Sequence, residues 1–209
     1  MTGVSGYFLA NTNSNFLVSG LNPSVSYKFY IRAICSSNDY STWNILTPKL
    51  FKTKPLNDEC ANAILIPINL DSEVLQTVSG STLGGTASAE LSTCPGIEND
   101  DVWYSFVATN TIHSIILNDL YFNNSTVDLA LRFAVYAGTD CTTLTQIYCS
   151  APNIYWNPLT NLVVGETYKI RVYSNGGDLN QSISFTIGIF TPLPITNDEC
   201  INAIPLVVN

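Results

Sequence analysis

The sequence LNDECANAI at residues 56–64 returns as TNDECINAI at residues 196–204. Across the 14-residue windows 56–69 and 196–209 eight positions are identical, and the two copies lie 140 residues apart (200 − 60). A repeat of that length is the size of a domain, whereas solenoid repeats recur every roughly 20–50 residues. The repeat therefore predicts a tandem array: the end of one domain at 1–54, a complete module at 57–190, and a linker with the start of the next module at 191–209.

The composition favours an extracellular β protein. Of the 209 residues, 46% are hydrophobic but only 11% are charged, well below the roughly 25% of an ordinary soluble domain. The net charge of −8 and the lack of a lysine and arginine cluster argue against a nucleic-acid partner. No apolar run approaches the roughly 20 residues that a membrane-spanning helix needs, so we expect no membrane insertion.

Alternating apolar and polar residues predict strands along most of the chain, and Gly, Asn and Asp clusters predict the turns between them. About eight strands in about 135 residues are typical of a jelly roll or sandwich. The fold class is thus all-β, with a partial sandwich in front. The predicted strands of the module are 61–69, 74–79, 102–108, 113–118, 129–136, 144–149, 168–173 and 182–190.

Six cysteines without a C-x-x-C motif favour disulfides in an oxidising compartment over a zinc site. Four of them, Cys60, Cys94, Cys141 and Cys149, fall within one repeat, and three pairings are possible. Neighbour pairing closes the shortest loops, so we expect the bonds Cys60–Cys94 and Cys141–Cys149. Two further cysteines, at positions 35 and 200, have no assigned partner.

No catalytic motif is present, and the chain is predicted not to be an enzyme. His113 is the single histidine and begins an apolar strand, where a packing role is a better interpretation than that of a general base. A nucleophile, base and orienting group cannot be assembled around it from this sequence. Trp103 and Tyr104 lie in an apolar strand and are expected in the core.

Carboxylates at loop–strand junctions suggest a calcium site. Oxygen ligands are what Ca²⁺ prefers, and the chain carries a surplus of negative charge. We choose Asp58, Glu59 and Asp101, because LNDEC and the strand start at 101 are the most motif-like parts of the module. The alternative is that these residues cap turns and face solvent. The predicted cofactor is therefore a structural Ca²⁺ ion.

Tyr155 and Trp156 lie between Pro152 and Pro158 in what we predict to be a loop, 150–158. Aromatic rings on the surface of a sandwich can stack on sugars, so these two residues are the predicted ligand-binding pair. The alternative is that Trp156 covers one end of the core.

Two resemblances to known families are visible. The L-x-P-x-x-x-Y spacing at residues 21–27 resembles the tyrosine corner of fibronectin type III domains, whose Tyr hydroxyl bonds back to the preceding turn. The pieces DVWYSF (101–106), VYAG (135–138) and GETYKIRV (165–172) resemble a repeat module of large secreted proteins of flavobacteria and relatives. That module is similar to the bacterial pre-peptidase C-terminal β-sandwich, and often follows fibronectin type III domains.

These resemblances imply a non-catalytic adhesion or stalk segment of a multidomain protein that is secreted or attached to the cell surface. Its partners would be surface glycans or other cell-surface proteins. The alternative is an accessory or carbohydrate-binding module of a secreted hydrolase, in which case Tyr155 and Trp156 should be exposed and coplanar with other rings.

Overall fold

The computed structural model describes residues 17–72, 76–123, 131–151, 156–176 and 182–193, together with 201 and 205. Tyr155, Cys200 and nearly all of the second LNDEC-like copy lie outside the described residues. Within these ranges the structure is almost entirely β, which confirms the predicted fold class.

The N-terminal unit, residues 17–54, contains two small antiparallel pairs of strands. Strand β1 (Ser26–Phe29) pairs antiparallel with β4 (Lys49–Lys52), and β2 (Ile34–Ser36) pairs with β3 (Asp39–Tyr40). The Tyr27 hydroxyl accepts a hydrogen bond from the Asn22 N–H at 2.9 Å. This is the contact expected of a tyrosine corner; membership of the fibronectin type III family stays a prediction.

Two five-stranded sheets form the module. The first sheet has the order β11-β10-β13-β8-β5; the second has β12-β9-β14-β6, with β7 also pairing with β14. β5 is parallel to β8 and β6 is parallel to β14, and the other pairs are antiparallel. The strands are β5 (Ile64–Leu65), β6 (Ile68–Asn69), β7 (Val78–Ser81), β8 (Val102–Val107), β9 (His113–Asn123), β10 (Leu131–Ala137), β11 (Thr145–Cys149), β12 (Trp156–Leu159), β13 (Thr167–Ser174) and β14 (Ser182–Phe190).

Two strand predictions need correction. The single strand predicted over 61–69 is a short 3₁₀ helix, Cys60–Asn62, followed by β5 and β6, which enter different sheets. Strand β12 was predicted to be a loop because Pro158 lacks an N–H to donate. A proline is tolerated there because β12 is the edge strand of the second sheet.

The main core lies between the two sheets and consists of the alternate residues that point inward. Strand β8 is buried on both faces along Val102–Phe106. Its outer face is covered by residues 82–101, which connect β7 to β8 and which we call the covering loop. Beneath this loop, Cys60, Trp103, Ala134 and Tyr136 form a second, smaller core. Trp103 and Tyr104 are thus both buried, as predicted, but on opposite faces of the sheet.

All four predicted cysteines form disulfides, but the predicted pairing is wrong. The bonds are Cys60–Cys141 and Cys94–Cys149. Cys141 lies in the turn before β11 and Cys149 is the last residue of that strand. An extended strand of five residues separates its ends by roughly 13 Å, too far for one disulfide. The two bonds instead tie the 3₁₀ helix and the covering loop to the β10–β11 hairpin.

Non-reducing peptide mapping should recover the crossed pairs and no Cys60–Cys94 peptide. Each bond closes a long loop, with separations of 81 and 55 residues, so chain entropy alone predicts a stability loss of about 4 kcal/mol for Cys94→Ser with Cys149→Ser. Chemical denaturation measures that loss, with Cys35→Ser as the control because Cys35 is free and exposed. Recovery of the neighbour pairs would contradict the fold of the covering loop.

Candidate functional site

A buried arginine organises the covering loop. Arg171, on β13, is 2% exposed, and its Nε donates to Asp101 Oδ2 at 3.0 Å. Its Nη1 lies 2.7 Å from Glu98 Oε2 and donates to the Glu90 carbonyl at 3.0 Å. The guanidinium also lies 5.6 Å from the centre of the Trp103 ring. Burial lowers the pKa of Arg171, but Asp101 and Glu98 outweigh it and raise that pKa overall.

Asp101 is completely buried, and hydrogen-bond donors surround its carboxylate. Ser88 donates both its N–H and its hydroxyl to it, and the indole N–H of Trp103 donates at 3.0 Å. With Arg171 the carboxylate accepts four hydrogen bonds. Such a group is a structural anchor, since a buried charge is stable only when it is paired and hydrogen-bonded.

Asp58 has a comparable environment at the entrance to the module. Thr86 donates its N–H and hydroxyl to the two carboxylate oxygens at 2.7 and 2.8 Å. The Lys54 ammonium donates to Oδ2 at 2.6 Å and lies 3.5 Å from Glu59 Oε1. Hydrogen bonding to Asp58 is the largest cause of a raised pKa at Lys54.

The structure brings the predicted calcium ligands to the same loop but not around one ion. Asp58 binds Thr86 and Asp101 binds Ser88, while Glu59 is exposed. A calcium ion would have to displace the serine, threonine, lysine and arginine donors that these oxygens already accept. Calcium binding stays a prediction.

His113 is buried, and both ring nitrogens are engaged. Its Nε2 accepts the N–H groups of Thr109 and Asn110 at 3.0 and 3.2 Å, and its Nδ1 lies 3.1 Å from the Thr191 hydroxyl. Nε2 is therefore the unprotonated nitrogen and Nδ1 carries the proton. Burial lowers the pKa of His113. The residue ties the turn before β9 to the end of β14, in line with the packing role expected of it.

Trp156 begins β12 and is 58% exposed, while the next residue, Asn157, is buried and accepts a 2.7 Å hydrogen bond from the Tyr148 hydroxyl. The indole meets Phe190 edge-on, with ring centres 5.6 Å apart and an interplanar angle of 69°. Exposure of Trp156 agrees with the sequence analysis, but the rings of Trp156 and Phe190 are not coplanar. Position 155 lies outside the described residues.

The outer face of the second sheet carries further groups suited to a polar ligand. Trp156 lies opposite Ile116 on β9, and further along β9 Tyr121 is 69% exposed. Between them, Asn118 is exposed, and the Thr186 hydroxyl donates to Asp119 Oδ2 at 2.9 Å. We call this surface, with Asn118, Asp119, Tyr121, Trp156 and Thr186, the aromatic face.

A cleft lies at the edge of the covering loop. It is an open cleft of about 290 Å³ between residues 89–91 and the β10–β11 turn, including Cys141, Thr142 and Leu144. Glu90 lies beside the Cys60–Cys141 disulfide. Because those two sulfurs are bonded to each other, they are not thiolates, and the group is not a set of metal ligands.

Comparison with protein families identifies the module. A family model described as galactose-binding-domain-like, and designated as associated with T9SS, matches residues 56–187. The chain belongs to this family. The match supports the predicted β-sandwich domain of secreted or cell-surface flavobacterial proteins; the likeness to the pre-peptidase C-terminal domain stays a prediction. None of the curated proteins matches the sequence.

The galactose-binding-like module contains functional candidates that the sequence analysis missed. Arg171 stands between Ile170 and Val172. The two apolar neighbours predict that one face of the strand is buried, but they say nothing about the opposite face, which carries the arginine. Tyr121 belongs to β9, which was predicted to end at residue 118. Among the described residues, no helix is both long enough and apolar enough to span a membrane.

Arg171→Met should destabilise the module by about 3–5 kcal/mol, because the Asp101 carboxylate stays buried without its cation. The double variant with Asp101→Asn should recover part of that loss, since the fully buried carboxylate charge is then removed and only Glu98, 14% exposed, keeps a charge without its cation. Lys169→Met, on the same strand and only partly buried, is the matched control. Urea denaturation measures all three; a loss below about 1 kcal/mol for Arg171→Met would show that the ion pair does not hold the covering loop.

Stability should fall as the pH is lowered from 7 to 5.5. The folded-state pKa of His113 lies below 6.5 because of burial, so the unfolded chain binds more protons and the free energy of unfolding rises with pH in this window. Since the chain has a single histidine, His113→Gln should flatten this slope. The difference in the free energy of unfolding between wild type and variant, measured by urea titration at several pH values, isolates the contribution of His113. Equal slopes for the two proteins would refute a lowered pKa of His113.

Proposed function

We propose that the galactose-binding-like module is a non-catalytic carbohydrate-binding domain of a secreted or cell-surface protein, and that the aromatic face binds the glycan. The observation that carries the proposal is Trp156, an indole 58% exposed on a sheet edge rather than buried in the core. Family membership supports a carbohydrate ligand.

The chemistry of the aromatic face suits a sugar. An exposed indole or phenol ring packs against the apolar C–H side of a pyranose, while amide, hydroxyl and carboxylate groups bind its hydroxyls. Here Asn118 and Asp119 offer those polar groups between two aromatic side chains, Tyr121 and Trp156. The six residues from Ile116, opposite Trp156, to Tyr121 span roughly 17 Å of strand. That length fits an oligosaccharide better than a single sugar.

The edge-on contact with Phe190 gives the indole a fixed orientation. Phe190 is only 2% exposed and packs against the Trp156 ring with ring centres 5.6 Å apart, while Trp156 as a whole stays 58% exposed. A ring held in this way loses little conformational entropy when a ligand binds, which improves affinity for a given contact area.

A second candidate function is that of an adhesion or stalk segment whose ligand is another protein or whose task is spacing. It is favoured by the N-terminal unit, which precedes the module with no long linker: residues 53 and 57 are both hydrogen-bonded into their own units. In this case the aromatic face would not bind glycans.

Trp156→Ala should weaken glycan binding at least tenfold while costing less than about 2 kcal/mol of stability, because the side chain is largely solvent-exposed. Binding is measured on an oligosaccharide array that includes galactosides, and then by calorimetry on the best ligand. Leu65→Ala, which removes an exposed apolar side chain from the first sheet, should change neither property.

Two outcomes would overturn the proposal. If the wild-type chain binds no glycan on the array, the spacer function is favoured. If Trp156→Ala binds as the wild type does, the glycan site lies elsewhere on the module.

A further inference from the structure

We propose that the Asn-Asp-Glu-Cys start of the module is a docking site for the last strand of the preceding domain, and that Lys54 locks the two units in one orientation. The inference goes beyond carbohydrate binding and does not depend on it. It identifies an interaction surface, made of Asp58, Gly84 and Thr86, and the partner that fits it, which is a lysine-bearing strand end.

The backbone of the strand end belongs to the N-terminal unit. The Thr53 N–H donates to the Val25 carbonyl at 3.0 Å, and the Thr53 hydroxyl donates to the Asn22 carbonyl at 2.7 Å. The Lys54 carbonyl accepts the Ser24 N–H at 3.3 Å. These bonds fix residues 53 and 54 on the turn that also holds the Tyr27 hydroxyl.

The side chain of Lys54, in contrast, finds its hydrogen-bond partners within the described residues on the module alone. Its ammonium donates to Asp58 Oδ2 at 2.6 Å and to the Thr86 hydroxyl at 2.9 Å, and Glu59 is the third neighbour. The Asp58 side chain is 4% exposed and Lys54 is the cation that pairs with it, whereas the Lys54 side chain is more than half exposed. One residue thus belongs to both units.

The backbones of the two units also touch. A Cβ added at Gly84 would lie 2.2 Å from the Thr53 carbonyl oxygen, so only glycine fits at this contact, and its φ of +79° is one that glycine adopts freely. On the module side, Asn57 exchanges two 2.8 Å hydrogen bonds with Trp103. Only Pro55 and Leu56 lie between the fixed ends, and Pro55 has a restricted φ and is buried.

The second copy of the motif has the aspartate of this contact but not the lysine. Asp198 corresponds to Asp58, but Pro194 stands at the position of Lys54, using the same offset of 140 residues. The Asn-Asp-Glu-Cys start is thus repeated without the lysine. The lysine–aspartate contact is therefore specific to the first junction, because it depends on the lysine at the end of the preceding strand.

The test is the relative orientation of the two units in the full chain, measured by residual dipolar couplings in a weakly aligned sample. In the wild type, residues 17–54 and the module should share one alignment tensor. Lys54→Met keeps the stem but removes the charge, and should at least halve the tensor magnitude of the N-terminal unit relative to the module. Thr86→Val should have a smaller effect in the same direction.

Lys49→Met is the matched control, because Lys49 is exposed on strand β4, which ends two residues before Lys54, and forms none of the ion pairs found in the described residues. If Lys54→Met unfolds residues 17–54 while Lys49→Met does not, docking is supported, since the side-chain partners that Lys54 has in the described part of the chain belong to the module. Separate tensors in the wild type, or tensors in Lys54→Met equal to those of the wild type, would overturn the proposal.

Discussion

The ion pair between Arg171 and Asp101 is the interaction on which the rest of the module depends. Moving both charges out of water costs several kcal/mol each, so the pair is tolerable only because further hydrogen bonds and a second carboxylate surround it. Apart from the Trp103 indole, the partners named above, Ser88, Glu90 and Glu98, come from the covering loop. The loop has no regular secondary structure of its own, and its position is therefore defined by a polar centre on the sheet beneath it.

Both disulfides join the same layer of structure. One holds the entry of the module, and the other holds the covering loop, and both end on the β10–β11 hairpin. A loop of 20 residues loses much conformational entropy when it is ordered. The bonds reduce the entropy of the unfolded chain, while Trp103 and Tyr136 supply a small apolar surface beneath the loop. The covering loop consequently buries the outer face of the first sheet around Trp103 and Tyr136, whereas Leu65 and Ile147 on its edge strands stay exposed.

The strands of the module could be predicted because strands such as β13 and β14 alternate around an apolar face, and β8 is a short, almost continuous apolar run. The disulfide pairing could not, because it depends on which strand ends become neighbours in the folded sheet rather than on loop length. The burial of Arg171 has no local signal in the sequence, because the covering loop that buries it is far away along the chain. Strand β12 was hidden by Pro158, which is compatible with an edge strand but removes the local signal.

The roles of the two sheet faces follow from this arrangement. Asp58 and Asp101 belong to the most motif-like segments. Their carboxylates accept internal hydrogen bonds that hold the covering loop and the domain junction. The repeated motif is therefore a signature of architecture, and a ligand has to be met by groups outside it. The outer face of the second sheet is the remaining broad surface in the described part of the chain, and it carries two exposed rings beside polar groups. Because that face belongs to the sheet without the covering loop, its side chains can vary without disturbing the buried ion pair, which allows one scaffold to present different ligand surfaces.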